Sequence, residues 1–369
     1  MTYEYTKRLE LIEDAIHRAL PAKPDDNWLR SVFPHVPAGQ ITGATLDAAI
    51  LPARDLLARG GKRWRPLLMT LVCEALGGGD AAIPLAPLVE FCHNASLIHD
   101  DIEDGSEERR GAPAIHRLYG EDTAINAGSL LYFLPLDCIE QWAARLEPGG
   151  AAGGAASRVY KGLVYKLWGQ HMRKLHLGQA MDISWHKNHS FVPGIEEYEL
   201  MCRLKTGSLA SLAAGLGVYA AFAVAGGETD EAAQDAARYA ARERFEEAAE
   251  KLGQGFQILD DVKNLTTGNP GKKRGDDVVE GKKSLPVILY LHQNPGKIDF
   301  VARCFSAAKA GGVNAPQVEE FIGEISASGV LEAARERGLG LIASAREIFE
   351  FAEKKEGPRL LAGLTEFIS

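Results

Sequence analysis

Nineteen consecutive residues, Leu209 to Gly227, carry no charge. A helix of that length can cross the apolar core of a bilayer. It can equally stand inside a bundle with protein on every side. Composition separates the two. The segment is mostly Ala and Gly with few large apolar side chains, so its transfer into lipid gains little free energy. The expectation is a buried core helix and no integral membrane segment. A helix buried all round needs several helical neighbours, which points to a layered bundle.

The rest of the chain agrees. Ala, Leu, Glu, Lys and Arg dominate, and strand-like alternation is rare. Leu88, Val89, Phe91, Cys92, Ala95, Leu97 and Ile98 recur at helical spacing. Asp230 to Leu252 and Ser326 to Phe351 each read as a long charged helix with one apolar stripe. Pro21 to Gly43, rich in Pro and polar residues, reads as a loop between an N-terminal helix and the body. Leu76-Gly77-Gly78-Gly79-Asp80 ends a helix. Pro148 to Gly154 is a low-complexity loop, and Thr266 to Gly275 a turn-rich basic one. With no repeat and no shift of composition, one all-α domain over residues 1–369 is expected, its C-terminal helices covering 295–369.

Apolar residues make up 46% and charged residues 25%, which excludes global disorder. The 41 basic and 50 acidic side chains leave −9. That balance argues against nucleic acid as a partner, while a local basic cluster can still hold a small anion. Cys73, Cys92, Cys138, Cys202 and Cys304 are scattered and form no CxxC pair. They read as free buried thiols of a reducing, cytoplasmic compartment. The start, MTYEYTKRLELIED, is acidic and lacks an apolar core, so no signal peptide is expected there.

Chemistry concentrates in two acidic clusters. Asp100-Asp101-Ile102-Glu103-Asp104 ends an apolar helical run. Asp100 and Asp104 share a helix face, about 6 Å apart along the axis. That spacing suits Mg²⁺, which takes one or two carboxylates together with substrate phosphates. Asp260-Asp261-Val262-Lys263-Asn264 repeats the pattern after another apolar run. Two such clusters can face each other across a pocket and share a metal–diphosphate group. Basic residues interleave with them: Lys62 and Arg65 after Gly60-Gly61, Arg109-Arg110, Lys205-Thr206-Gly207, then Lys272, Lys273, Arg274, Lys282 and Lys283. Arg offers forked donors and Lys a point charge for phosphate oxygens.

GGKRWRP, HNASLIHDDIED, RRG, HLGQAMDISW, KTGS, GFQILDDVKN and EGKKS occur in that order. In this the chain resembles the trans-isoprenyl diphosphate synthases, or polyprenyl synthetases, over residues 55 to 290. The resemblance implies an all-α isoprenoid-synthase-type helical bundle with a deep central cavity, and a homodimer. It implies a Mg²⁺-dependent prenyltransferase, with three ions per site, that condenses isopentenyl diphosphate with an allylic diphosphate. By the same resemblance Asp100 and Asp104 ligate two metals and Asp260 a third, supported by Asp261; Asp101 completes the first motif. Arg109, Lys205, Gln257, Lys273 and Lys282 resemble the allylic-diphosphate contacts. Lys62, Arg65, His93 and Arg110 resemble the isopentenyl-diphosphate contacts. Thr206 resembles the residue whose oxygen faces the developing cation. Asn264 stands where many members have a last Asp, as in eukaryotic-type geranylgeranyl diphosphate synthases.

Product length depends on the cavity floor. Ser96, Cys92 and Val89 lie below Asp100 by about 6, 12 and 16 Å along the helix. Small Ala95 and Ser96 leave no aromatic plug near the top, which disfavours a C10 or C15 stop. Tyr132, Phe133 and His176 match the floor of the geranylgeranyl subgroup, so a C20 product is expected. His99 resembles bacterial synthases instead, which leaves C15 and C25 or longer open. Two rivals stand beside this reading, of which a terpene cyclase shares the fold and the first motif. A class I terpene cyclase would carry NDxxSxxxE where DDVKN stands, and a non-catalytic subunit of a heteromeric synthase would have lost its aspartates.

Overall fold

A computed structural model describes residues 3–146, 154–188, 190–225, 231–268, 273–350 and 356–368. The low-complexity loop, apart from Gly154, lies outside the described residues. So do Gly226, Gly227, Asp230, Lys272 and Phe351. The architecture is helical throughout. The first nine helices are α1 (Tyr3–Ala19), α2 (Asp26–Val32), α3 (Gly43–Ala58), α4 (Trp64–Ala75), α5 (Ala86–Asp104), α6 (Ile115–Tyr119), α7 (Glu121–Phe133), α8 (Asp137–Ala144) and α9 (Ala155–His186). The second nine are α10 (Ile195–Cys202), α11 (Ser208–Ala225), α12 (Glu231–Thr266), α13 (Asp276–Glu280), α14 (Leu285–Gln293), α15 (Ile298–Gly311), α16 (Pro316–Ala327), α17 (Val330–Phe349) and α18 (Glu356–Ile368). Among the described residues, the sheet is one antiparallel pair, β1 (Glu108–Arg109) and β2 (Ala112–Pro113), with Arg109 opposite Ala112.

The uncharged segment is the centre of the bundle. Every residue from Ser208 to Ala221 is buried, and α11 packs against α4, α5, α9 and α12. Its Ala and Gly content is what allows this. A Cβ on Gly217 would lie 2.4 Å from the Met69 carbonyl oxygen of α4, so only glycine permits that approach. Together with α10, the run Ile195–Ala225 has the length and hydropathy of a membrane span, yet 78% of its apolar window is buried inside the protein.

Three expectations change in detail. Helix α2 interrupts the expected loop after Pro21, because the Asp25 side chain accepts the Trp28 backbone N–H at 2.8 Å and caps it. The Trp28 indole then donates to the Ala19 carbonyl, fastening α2 to α1. The charged helix expected to stop at Leu252 continues to Thr266, so the second acidic cluster sits in its last turns. The helix expected from Ser326 is two, α16 and α17, divided at Ser328-Gly329.

Candidate active site

Helices α5, α9 and α12, the segment before α11 and the segment after α13 enclose a cavity of about 270 Å³. The first acidic cluster reaches it because α5 stops there. Gly105, in the left-handed region at φ 67°, turns the chain and caps the helix. Asp100 and Asp104 thus sit at a helix C-terminus, where the macrodipole is already negative and carboxylates are disfavoured unless cations join them. The end of α12 repeats this arrangement with Asp260. Asp100 and Asp260 both line the cavity.

Protein cations partly answer the charge. Lys205 Nζ donates to Asp100 Oδ1 at 3.0 Å and to Asp182 Oδ2 at 2.6 Å. Gln179 Nε2 donates to Asp100 at 2.8 Å. Lys282 stands 3.7 Å from Asp104 and 2.6 Å from Glu280. Asp104 Oδ2 is nevertheless buried with no hydrogen-bond partner among the described residues. Burial, then the neighbouring Asp100, pushes the Asp104 carboxyl up to about 7. No three such ligand groups converge on one point among the described residues. The donor set therefore fits a hard divalent cation that takes one or two carboxylates and completes its shell with phosphate and water.

Lys205 and Thr206 lie in a π-helical turn, Arg203–Gly207, that joins α10 to α11. Such widened turns recur at functional sites because they redirect side chains within a continuous helix. Here both residues reach the cavity wall. Thr206 Oγ1 donates to Gln257 Oε1 at 2.8 Å, and Gln257 Nε2 donates to Asp261 at 2.9 Å. Burial opposes the charge of Lys205, yet Asp100 and Asp182 hold its ammonium well above the usual range.

Neighbours in sequence have divided tasks. Asp101 is fully buried and held by the Arg109 guanidinium in an ion pair, so it positions Arg109, which lines the cavity. Asp261 accepts the Tyr198 hydroxyl at 2.7 Å. Burial, then Asp277, lifts its carboxyl to about 7. Asn264 is buried, and its Oδ1 accepts the Asp277 backbone N–H at 3.1 Å. Its oxygen therefore organises the turn into α13.

Arg65 and His93 line the cavity from α4 and α5. Arg65 stacks on Trp64 at 4.4 Å, and its Nε has no hydrogen-bond partner among the described residues. Burial lowers it to about 10 against the pull of Glu90. Burial, followed by Arg65 and Arg110, keeps His93 neutral, well below the usual range. Lys62 and Arg110 stand outside the cavity lining. Lys62 is exposed beside Asp260 and Lys263. Arg110 Nη1 donates to Asn94 Oδ1 and to the Leu56 carbonyl, both at 3.0 Å. Lys273 is exposed, with its ammonium 3.9 Å from Glu108.

The floor differs from expectation at two positions. Tyr132 and His176 line the cavity, with ring centroids 5.2 Å apart, and His99 packs 5.7 Å from Tyr132. Behind Tyr132, Cys92 Sγ accepts the Trp168 indole N–H at 3.4 Å. Phe133, however, is 60% exposed against Trp168, and Ala95 is buried in the core while Ser96 faces the cavity. Successive helical residues point about 100° apart, and of these two pairs Tyr132 and Ser96 are the members that line the cavity.

Gln179, Asp182 and His186 had no role assigned in the sequence reading. Asp182 lies 2.6 Å from Lys205 and 2.7 Å from His186 Nε2. Burial works against its charge, but Lys205 and then His186 hold it far below the usual carboxylate range. The available signal was spacing: the three residues fall at i, i+3 and i+7 on one face of α9.

An all-α bundle whose two acidic helix ends share a cation-lined cavity has the donor set to hold a diphosphate together with a divalent cation. The polyprenyl synthetase family pattern matches residues 49–319, and the chain belongs to that family of prenyltransferases. It is 37% identical over 243 residues to the short chain isoprenyl diphosphate synthase of Methanocaldococcus jannaschii. That match covers 65% of this chain and 65% of the relative, just under two thirds. It is 31% identical to the geranylfarnesyl diphosphate synthase of Aeropyrum pernix, over 91% of this chain and 96% of that one. The solved geranylgeranyl pyrophosphate synthetase of Pyrococcus horikoshii superposes with a TM-score of 0.75 at 28% identity, covering 99% of this chain and 96% of that one.

Proposed function

We propose that this chain joins isopentenyl diphosphate to an allylic diphosphate, head to tail (1′–4), and releases all-trans geranylgeranyl diphosphate (C20). The observation that carries the reading is the convergence of Asp100, Asp260 and Lys205 on one cavity closed below by Tyr132 and His176. Asp100, Asp104 and Asp260 are the residues that would hold magnesium, three ions with the allylic diphosphate, and the metal supplies positive charge to the departing diphosphate. Lys205, Arg109 and Lys282 add fixed cations around the same group. The cavity below is walled by Leu97, Leu175, Leu209 and Phe256, which keeps water from the allylic cation formed when the C–O bond breaks. Thr206 and Gln257 present their polar atoms at that level. Arg65, Lys62 and Arg110, with neutral His93, serve the isopentenyl diphosphate. Its alkene forms the new C–C bond, and the proton lost goes to the released diphosphate.

Exposed Ile125 and Phe133 on α7 and Leu177 on α9 support a homodimer. Five buried free cysteines support a reducing, cytoplasmic setting. The chain acts as one domain in this reading, with α12 reaching from the acidic site to the main core.

The test is purified protein with Mg²⁺, labelled isopentenyl diphosphate, and dimethylallyl, geranyl or farnesyl diphosphate in turn. The products are dephosphorylated and sized. A single C20 alcohol is expected. A C25 product, as the Aeropyrum relative's name describes, would keep the reaction and overturn the floor. Hydrocarbon without elongation would replace the reading with a cyclase.

A further inference from the structure

One buried anion stands behind the cations assigned to isopentenyl diphosphate and reaches them through Arg63 and Asn94. Glu90 on α5 is 2% exposed. Its Oε1 accepts Arg63 Nη1 at 2.8 Å and Asn94 Nδ2 at 2.9 Å. Asn94 is fully buried, and its Oδ1 in turn accepts Arg110 Nη1 at 3.0 Å. Arg63, in the left-handed region at φ 49°, donates Nη2 to the Leu57 carbonyl at 2.7 Å and Nη1 to the Gly60 carbonyl at 3.3 Å. It thereby fixes the Gly60-Gly61 loop that carries Lys62. The loop lies close against Arg110 at Gly61, whose φ of 150° favours glycine: a Cβ there would lie 3.2 Å from Arg110 Nη2, a tight contact. The outer end of the network is Glu13 of α1, which accepts Arg63 Nε at 2.7 Å. Glu13 lies ahead of the family match, which begins at residue 49.

Guanidiniums packed this closely repel one another in a medium of low dielectric. A buried carboxylate that accepts from them holds them in one arrangement. We propose that Glu90, through Arg63 and Asn94, is a positioning residue that fixes Lys62 and Arg110 as part of a preformed diphosphate cradle, and that Glu13 braces it from α1. Glu90 itself does not line the cavity and touches no substrate. This rests on the condensation reading above.

Two roles for Glu90 predict opposite signs. If it contributed only its charge, Glu90→Gln would strengthen binding of the anionic substrate. If it positions the cradle, Glu90→Gln weakens that binding, and Glu90→Asp, which keeps the charge but withdraws it, weakens it too. The experiment measures kcat and both KM values for wild type, E90Q, E90D, N94S and E13Q, with thermal unfolding of each. The expected result is a rise of about tenfold or more in the KM for isopentenyl diphosphate in E90Q, E90D and N94S, with the allylic KM within threefold. E13Q, whose site is half-open, shows a smaller rise of the same kind. Unchanged or lowered KM for isopentenyl diphosphate in folded E90Q and E90D overturns the proposal, as does an equal rise in both KM values. Should E90Q fail to fold, N94S decides alone, and an unchanged KM there overturns it. Absence of condensation by the wild type would instead reject the underlying reading.

Discussion

Lys205 Nζ bridges Asp100 at 3.0 Å across 105 residues of chain and lies 2.6 Å from Asp182 on a third helix. One ammonium thus links α5, α9 and the π-helical turn at the cavity wall. Lys205→Met removes the fixed cation and leaves two carboxylates facing each other. We expect kcat/KM for the allylic substrate to fall by about 10² to 10³, the usual cost of losing one preorganised charge donor. Steady-state kinetics check this; a change under threefold would limit the contact to structure.

The raised carboxyls make metal binding proton-linked. Asp104 and Asp261 both stand near 7 against an ordinary 3.8. A folded-state value raised in this way stabilises the metal-free protein below the unfolded value near 4, and that stability is lost as pH climbs through 7. Metal-free protein should therefore melt at lower temperature at pH 8 than at pH 5. Mg²⁺ with a diphosphate must displace the Asp104 proton, so half-saturating Mg²⁺ should fall about tenfold between pH 6 and pH 8. A Mg²⁺ requirement that ignores pH over that range would contradict the assignment of Asp104.

The acidic residues themselves separate chemistry from folding. Asp100→Ala or Asp260→Ala should lower turnover by about 10³ or more, with the circular dichroism spectrum and unfolding temperature nearly unchanged. Both carboxylates line the cavity at helix ends, so their removal also relieves like-charge repulsion. Near-normal turnover in either variant would remove that residue from the metal set.

Tyr132 and Phe133 should give different products. Tyr132→Ala opens the floor toward Cys92 and Trp168, and longer alcohols should follow the C20 one. Phe133→Ala, at a residue that is 60% exposed and does not line the cavity, should leave product length alone. Chromatography of dephosphorylated products decides, and longer chains from the Phe133 variant would return it to the floor.

Gly217 tests the core. An added methyl group meets the Met69 carbonyl oxygen at 2.4 Å, so α4 and α11 must separate. Gly217→Ala should destabilise by about 1–3 kcal/mol, the cost of overpacking, although alanine is the better helix former. Denaturant unfolding measures it, and a stabilised variant would show the contact to be yielding.

The sequence was most legible where chemistry repeats. Two acidic runs, each after an apolar helix segment, located both helix ends of the site. An uncharged Ala and Gly segment located the centre of the bundle. Of Tyr132–Phe133 and Ala95–Ser96, Tyr132 and Ser96 line the cavity, a division that a motif match, which copies adjacent positions, does not mark. Glu90 and Arg63 were not legible as a pair: 27 positions separate them, and only the fold brings a lone Glu in an apolar run against one Arg of the basic run Lys62-Arg63-Trp64-Arg65. Asp182 was closer to legible, since its spacing from Gln179 and His186 marks one helix face, but its partner Lys205 comes from another helix.

The composition of α11 also matters before the protein has folded. During synthesis this uncharged stretch leaves the ribosome ahead of α12, which will cover much of it. For that interval it offers membrane-insertion machinery a candidate of sufficient length. Leucine or isoleucine in place of its alanines would make insertion more favourable. The small side chains that let α4 come within contact distance thus also leave the nascent segment less prone to insertion than a leucine-rich one of the same length.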